Sequence, residues 1–213
     1  MVDGPVVTVR GEAYREVPPE LARFAVTVTA RDRDREATLT RLAERAAAVR
    51  VRLDGEGAAI DRRETGELRV RPETRRGTER VVAWHGSVTT TVTVSDFTAL
   101  GELMLRVAEL DQVEIAGPWW SLRPDSPTYR EVRHAAIADA LARGREYAEA
   151  LSARVTALVE LADTGVERPM MARMAYAGGP EGGGGPELDL DPQPQSVQAA
   201  VQARFAISEP VLG

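Results

Sequence analysis

Val88-Thr89-Thr90-Thr91-Val92-Thr93-Val94, followed by Ser95-Asp96-Phe97, is the stretch on which the fold turns. Seven β-branched residues in a row have restricted χ1 angles that suit a pleated sheet. The next residues, Ser95 or Asp96, supply a side-chain oxygen able to cap a helix in which Phe97, Leu100, Met104 and Val107 share a stripe. Upstream, Leu68 and Val70 alternate with charged residues before Pro72, and the alternation resumes at Val81, which predicts a long hairpin. Before it, Asp34 to Leu53 places Leu39, Leu42, Ala46, Val49 and Leu53 at helical steps, stopped by Gly55 and Gly57. Phe24, Val26, Val28 and Ala30 alternate as a strand ahead of that helix, and Gln112 to Leu122 forms another strand after the second helix, bent at Gly117-Pro118. From Arg23 to Leu122 the order is therefore β-α-β-β-α-β, the order of a ferredoxin-like split arrangement.

The flanks add a short strand at Val7 to Arg10 and a long helix whose Ser126 cap and Pro127 start lead to Leu151. A strand at Val155 to Leu161 and a final strand at Val197 to Ile207 complete the reading. Residues 164–196 carry the Gly/Pro-rich run Gly178 to Pro186 and read as a flexible loop. The expectation is α+β: one domain over 1–213, with a mixed, mostly antiparallel sheet of about seven strands and three helices. The last strand is expected to insert into the main sheet.

Of the 213 residues, 43% are hydrophobic and 28% charged, with net charge −6. These are values of a globular chain with a core built mainly from Val, Leu, Ile and Ala. All 27 basic residues are arginine, and Lys, Asn and Cys are absent. No lysine excludes a Walker A loop and Schiff-base chemistry. No cysteine excludes thiolate catalysis, disulfides, zinc fingers and iron–sulfur clusters. No apolar run reaches the length of a membrane span. The start of the chain carries no export-signal pattern, which gives a cytoplasmic default, or a periplasmic or extracellular site if a signal was removed.

Several segments together resemble the SIMPL-domain family, which includes bacterial periplasmic immunogenic proteins and related oxidative-stress defence proteins. Val7-Thr8-Val9-Arg10-Gly11-Glu12 is similar to its opening strand, and Pro19-Glu20 stands where its Pro-Asp pair does. Gly86 to Gly101 is similar to its strand and Asp-Leu-Gly helix start, and Gly117-Pro118-Trp119-Trp120-Ser121-Leu122 to its glycine-marked strand. Arg133-His134-Ala135-Ala136 through Leu151 matches its alanine-rich helix, and Val197 to Ile207 its last strand. The resemblance implies a β-rich α+β scaffold, often oligomeric, linked to stress or envelope functions, with no catalytic residues to carry over.

Individual chemistries fare poorly. Glu131 and His134 have the Glu-x-x-His spacing of di-iron bundles, but no second copy exists, so a solvated helix face is preferred and no metal or cofactor is expected. His85 reads as an outward polar position on its strand. Arg62 to Arg80 holds seven arginines, interleaved with Asp61, Glu64, Glu67, Glu73 and Glu79. This near-cancellation argues against nucleic acid and for an ion-paired hairpin. Arg69, Arg71, Arg75 and Arg76 of that hairpin are candidate interface residues, with the Glu187 to Asp191 acidic segment of a neighbour as their counterpart. Trp119 and Trp120 are adjacent on a strand, so they point to opposite faces, and an exposed one would anchor a protein contact. The expected function is non-enzymatic, by homo-oligomeric assembly or partner binding. The alternative is a small-molecule binder or carboxylate-based hydrolase using 164–196 as a lid.

Overall fold

The computed structural model describes residues 4–55, 60–75, 79–167, 188 and 190–211. In chain order they form β1 (Val6–Val17), β2 (Leu21–Asp32), α1 (Arg35–Asp54), β3 (Ile60–Thr74), β4 (Val81–Val94), α2 (Leu100–Ala108), β5 (Val113–Ser121), α3 (Pro127–Ala150), β6 (Val155–Glu167) and β7 (Gln195–Ile207). The seven strands and three helices are those expected of an α+β chain. They build two antiparallel sheets, not one, and belong to two compact units.

The central unit comprises residues 19–121 together with the described residues of 173–193. Its sheet order is β3-β4-β2-β5, which is the ferredoxin-like order for β-α-β-β-α-β connectivity. Strict alternation on β2 buries Ala22, Phe24, Val26, Val28 and Ala30, and the opposing β4 residues Val92 and Val94 complete the layer. Leu42, Val49 and Leu53 of α1 and Leu100, Leu103, Met104 and Val107 of α2 close the same core. The Asp34 carboxylate accepts the Ala37 N–H at 2.9 Å and fixes the start of α1. The second helix begins later than its sequence suggests. Asp96 accepts the Thr98 hydroxyl and N–H in a local turn, so Phe97 stays outside α2 and lies edge-on to Trp120, with ring centroids 4.9 Å apart.

The other unit gathers residues 4–18, 122–167 and 194–211. Its sheet order is β1-β7-β6, so the last strand is the centre of a second sheet and does not extend the first. The correction follows from register: β7 pairs with β1 without interruption from Val6 opposite Ala206 to Val17 opposite Gln195, while its other side receives β6. The α3 helix lies on the face formed by Val9, Val197, Ala199, Val201, Ala203 and Phe205. It presents Val132, Ala136, Ala140, Gly144 and Ala148, every fourth residue, and these small side chains allow a close approach. A Cβ at Gly11 would stand 2.2 Å from the Ala136 carbonyl oxygen and 2.5 Å from the Ala140 nitrogen. The helix backbone therefore rests directly on the strand backbone.

That contact makes Gly11 a sensitive position of this unit. Gly11→Ala forces α3 off the sheet and is expected to lower stability by about 2 to 3 kcal/mol, a loss of several degrees in the thermal midpoint followed by circular dichroism. An unchanged midpoint would contradict the backbone-to-backbone packing.

Candidate interaction face

In the central unit both helices pack on the Phe24 face of the sheet, and the residues of opposite parity form its other face. Register carries this face across all four strands. Trp119 of β5 stands opposite Arg23 of β2, Arg23 opposite Thr93 of β4, and Thr93 opposite Arg62 of β3. Further along, Ala25, Thr91 and Glu64 align, and Thr27 and Thr89 share a hydroxyl hydrogen bond of 2.9 Å. At the far end Thr29, Ser87 and Arg69 form one row and Arg31, His85 and Arg71 the next.

Of the residues singled out in the sequence, Trp119, Arg69 and Arg71 share this face. Trp120 does not, because it pairs with Ala22 and packs into the core. The Gly117-Pro118 irregularity, where pairing jumps from Ala25 to Arg23, keeps both indoles in the ladder on opposite sides. Trp119 is half-buried there. Arg69 is held by Glu67 two residues before it, whereas Arg75 lies past the end of β3, where its N–H donates to the Arg80 carbonyl. Arg76 lies outside the described residues.

The charge cluster at the Arg31–His85–Arg71 end has no counterpart in the residue pattern. The Arg31 guanidinium of β2 donates to both oxygens of Glu73 of β3, at 2.6 and 3.0 Å, across the intervening β4. These hydrogen bonds hold the Glu73 carboxyl below the usual glutamate range, with further attraction from Arg31, His85 and Arg71. Only three-dimensional register brings Arg31 and Glu73 together, since 41 residues separate them. His85 occupies the polar, helix-free face expected of it, although it is half-buried.

The remaining candidates sit apart from this face. In the other unit, Glu131 of the Glu-x-x-His pair binds Arg15 of β1, and His134 is exposed. A cavity of about 350 Å³ at the start of α3 is lined by Tyr129, Arg130, Arg133 and one carboxylate, Asp125, among others. A shallower one in the central unit gathers Asp34, Glu36 and Glu44 around Arg41. Among the described residues no group of three or more acidic or histidine side chains is placed to hold a metal. No described helix is long and apolar enough to cross a membrane. The expected lid falls largely on 168–187, outside the described residues, while Thr164 to Glu167 belong to β6 and Gln195 and Ser196 to β7.

Because the folded Glu73 carboxyl titrates below its unfolded range, the Arg31 contact contributes fully above that range. It is lost as the pH falls through the depressed value. A carbon-detected NMR titration should place the Glu73 midpoint below that of an ordinary glutamate, and Arg31→Gln should raise it. A midpoint unmoved by that substitution would show that Arg31 is not the cause.

Comparison with known proteins gives a family and little else. No curated protein matches the chain. Among solved structures, a Burkholderia cenocepacia protein provisionally named an amidohydrolase/peptidase is similar over 64% of this chain at 15% identity, with a TM-score of 0.30. The matched part spans only 35% of that protein, and a likeness so low carries no argument. The family model SIMPL, described as a protein of unknown function (DUF541), matches residues 7–205. That span runs from β1 to β7 through both units, and the chain belongs to the SIMPL family.

Proposed function

We propose that this SIMPL-family chain works without a catalytic step of its own, by assembling with further copies of itself or with a protein partner through the helix-free face of the central sheet. The observation that carries the reading is the placement of Trp119. A half-buried indole lies on the face away from α1 and α2, in the same row as Arg23 and Arg62. Aromatic and arginine side chains are the groups that anchor protein contacts. Glu64 and Glu114 share the face with these arginines, so one patch holds both signs. A two-fold contact brings the same patch of each copy together, and a patch of mixed sign is able to complement itself. Arg71, which also attracts Glu73, adds a guanidinium at the opposite end of the face.

Multi-angle light scattering across micromolar concentrations tests this. The expected result is a mass above that of the single chain, rising with concentration, and an association weakened at least about tenfold by Trp119→Ala. A single-chain mass at every concentration overturns the self-assembly reading. An association indifferent to Trp119 removes this face from it.

A further inference from the structure

The segment that precedes β7 makes a contact that neither the hairpin nor the Trp119 face explains. Leu188 and Leu190 stand in the acidic run Glu187-Leu188-Asp189-Leu190-Asp191. Both are half-buried, and Leu190 packs against the core cluster of the central unit that includes Leu100, Leu103, Met104 and Val107 of α2. Leu188 crosses α2 at Gly101 so closely that a Cβ on Gly101 would stand 2.1 Å from the Leu188 carbonyl oxygen and 3.2 Å from its carbonyl carbon. A glycine inside a helix is disfavoured relative to alanine. At Gly101 its missing side chain makes a seat for the backbone of another segment. The seat and the neighbouring core together receive one peptide backbone and one leucine side chain, two residues apart.

Leu188 and Leu190 belong to no helix or strand. The 20 residues 168–187, rich in glycine and proline, separate them from β6 in sequence, and they are followed by Pro192-Gln193-Pro194 before β7. This segment therefore reaches α2 as a tethered peptide, and what it shows is the chemistry that this site accepts.

We propose that the α2 face at Gly101 is a binding site for a short peptide of Leu-x-Leu pattern, occupied here by the chain's own Leu188 and Leu190, and that a partner polypeptide carrying the same pattern competes for it. The site is separate from the Trp119 face and does not depend on the assembly reading. Tethering sets the threshold. A segment that belongs to the same chain acts at an effective concentration in the millimolar range, so a peptide in solution competes on unequal terms until the tethered copy is removed.

The probe is a fluorescent peptide with the sequence of residues 186–193, titrated by anisotropy into the full chain and into its Leu188→Ser/Leu190→Ser variant. Circular dichroism and thermal unfolding confirm that each variant is folded. Saturable binding to the double variant, at least about tenfold tighter than to the unaltered chain, is the expected result. Adding Gly101→Ala to the double variant should abolish it, and a peptide with both leucines replaced by serine should not bind. Gly101→Ala alone should lower the thermal midpoint of the unaltered chain. In the double variant, where nothing crosses the helix, the same change should raise it by the ordinary preference of helices for alanine. No binding to the folded double variant up to millimolar peptide overturns the proposal. So does binding that survives Gly101→Ala or the loss of both leucines.

Discussion

The twelve-residue ladder between β1 and β7 is the constraint on which the arrangement of this chain depends. It joins Val6 to Ala206 and Val17 to Gln195, nearly the full length of the sequence apart. Closing so long a loop costs entropy, but the cost grows only with the logarithm of length, on the order of 5 kcal/mol here. The ladder and the apolar face it creates offset that cost, since Val9, Val197, Ala199, Val201 and Ala203 are buried beneath α3 only when the two ends of the chain are paired. The central unit is thereby the content of a loop. Its strands leave β1 at Pro18 and its last strand hands over to Leu122 of the other unit.

A sheet built around a late strand must also manage its edges. Three of the four edge strands are irregular: β3, β5 and β6 each carry a register shift in their pairing, and β3 is charged along most of its length. Such features discourage uncontrolled strand addition. The β1 strand has no shift, and a side chain guards it. The Asp139 carboxylate of α3 accepts the Glu12 N–H at 2.9 Å and is itself paired with Arg143. The helix that closes the core also satisfies part of the open edge. This leaves the faces and the peptide seat, more than the edges, as the surfaces suited to contact.

Much of this was legible in the residues. Alternation and β-branching located all seven strands, helical spacing from Asp34 located α1, and the Ser126 cap located the start of α3. Lengths were less legible. β3 runs from Ile60 to Thr74, although almost every residue in it is exposed, because its ladder with β4 and not burial extends it. The destination of β7 was hidden for a related reason: a period of two identifies a strand and its buried face, but says nothing of its neighbours. The informative signal was the fit of glycines to their neighbours, Gly11 against Ala136 and Ala140 and Gly144 against the Phe205 ring, which becomes readable only when helix and strand are set side by side. The family resemblance ran across both units and gave no hint of where one ends.

The interaction face was half legible for the same physical reason. Adjacency on a strand put Trp119 and Trp120 on opposite sides, but which side carried helices was decided by α1 and α2 and their apolar stripes. The arginine run looked like one feature in sequence, yet register distributes it. Arg62, Arg69 and Arg71 join the helix-free face, while Arg63 points its charge to Asp54 at the end of α1. Charge balance in a line of sequence is therefore a poor guide to charge balance on a surface. Arg31 and Glu73 meet across β4, and His85 stands between their strands, so the polar character of this end of the sheet is a property of three strands and of none alone.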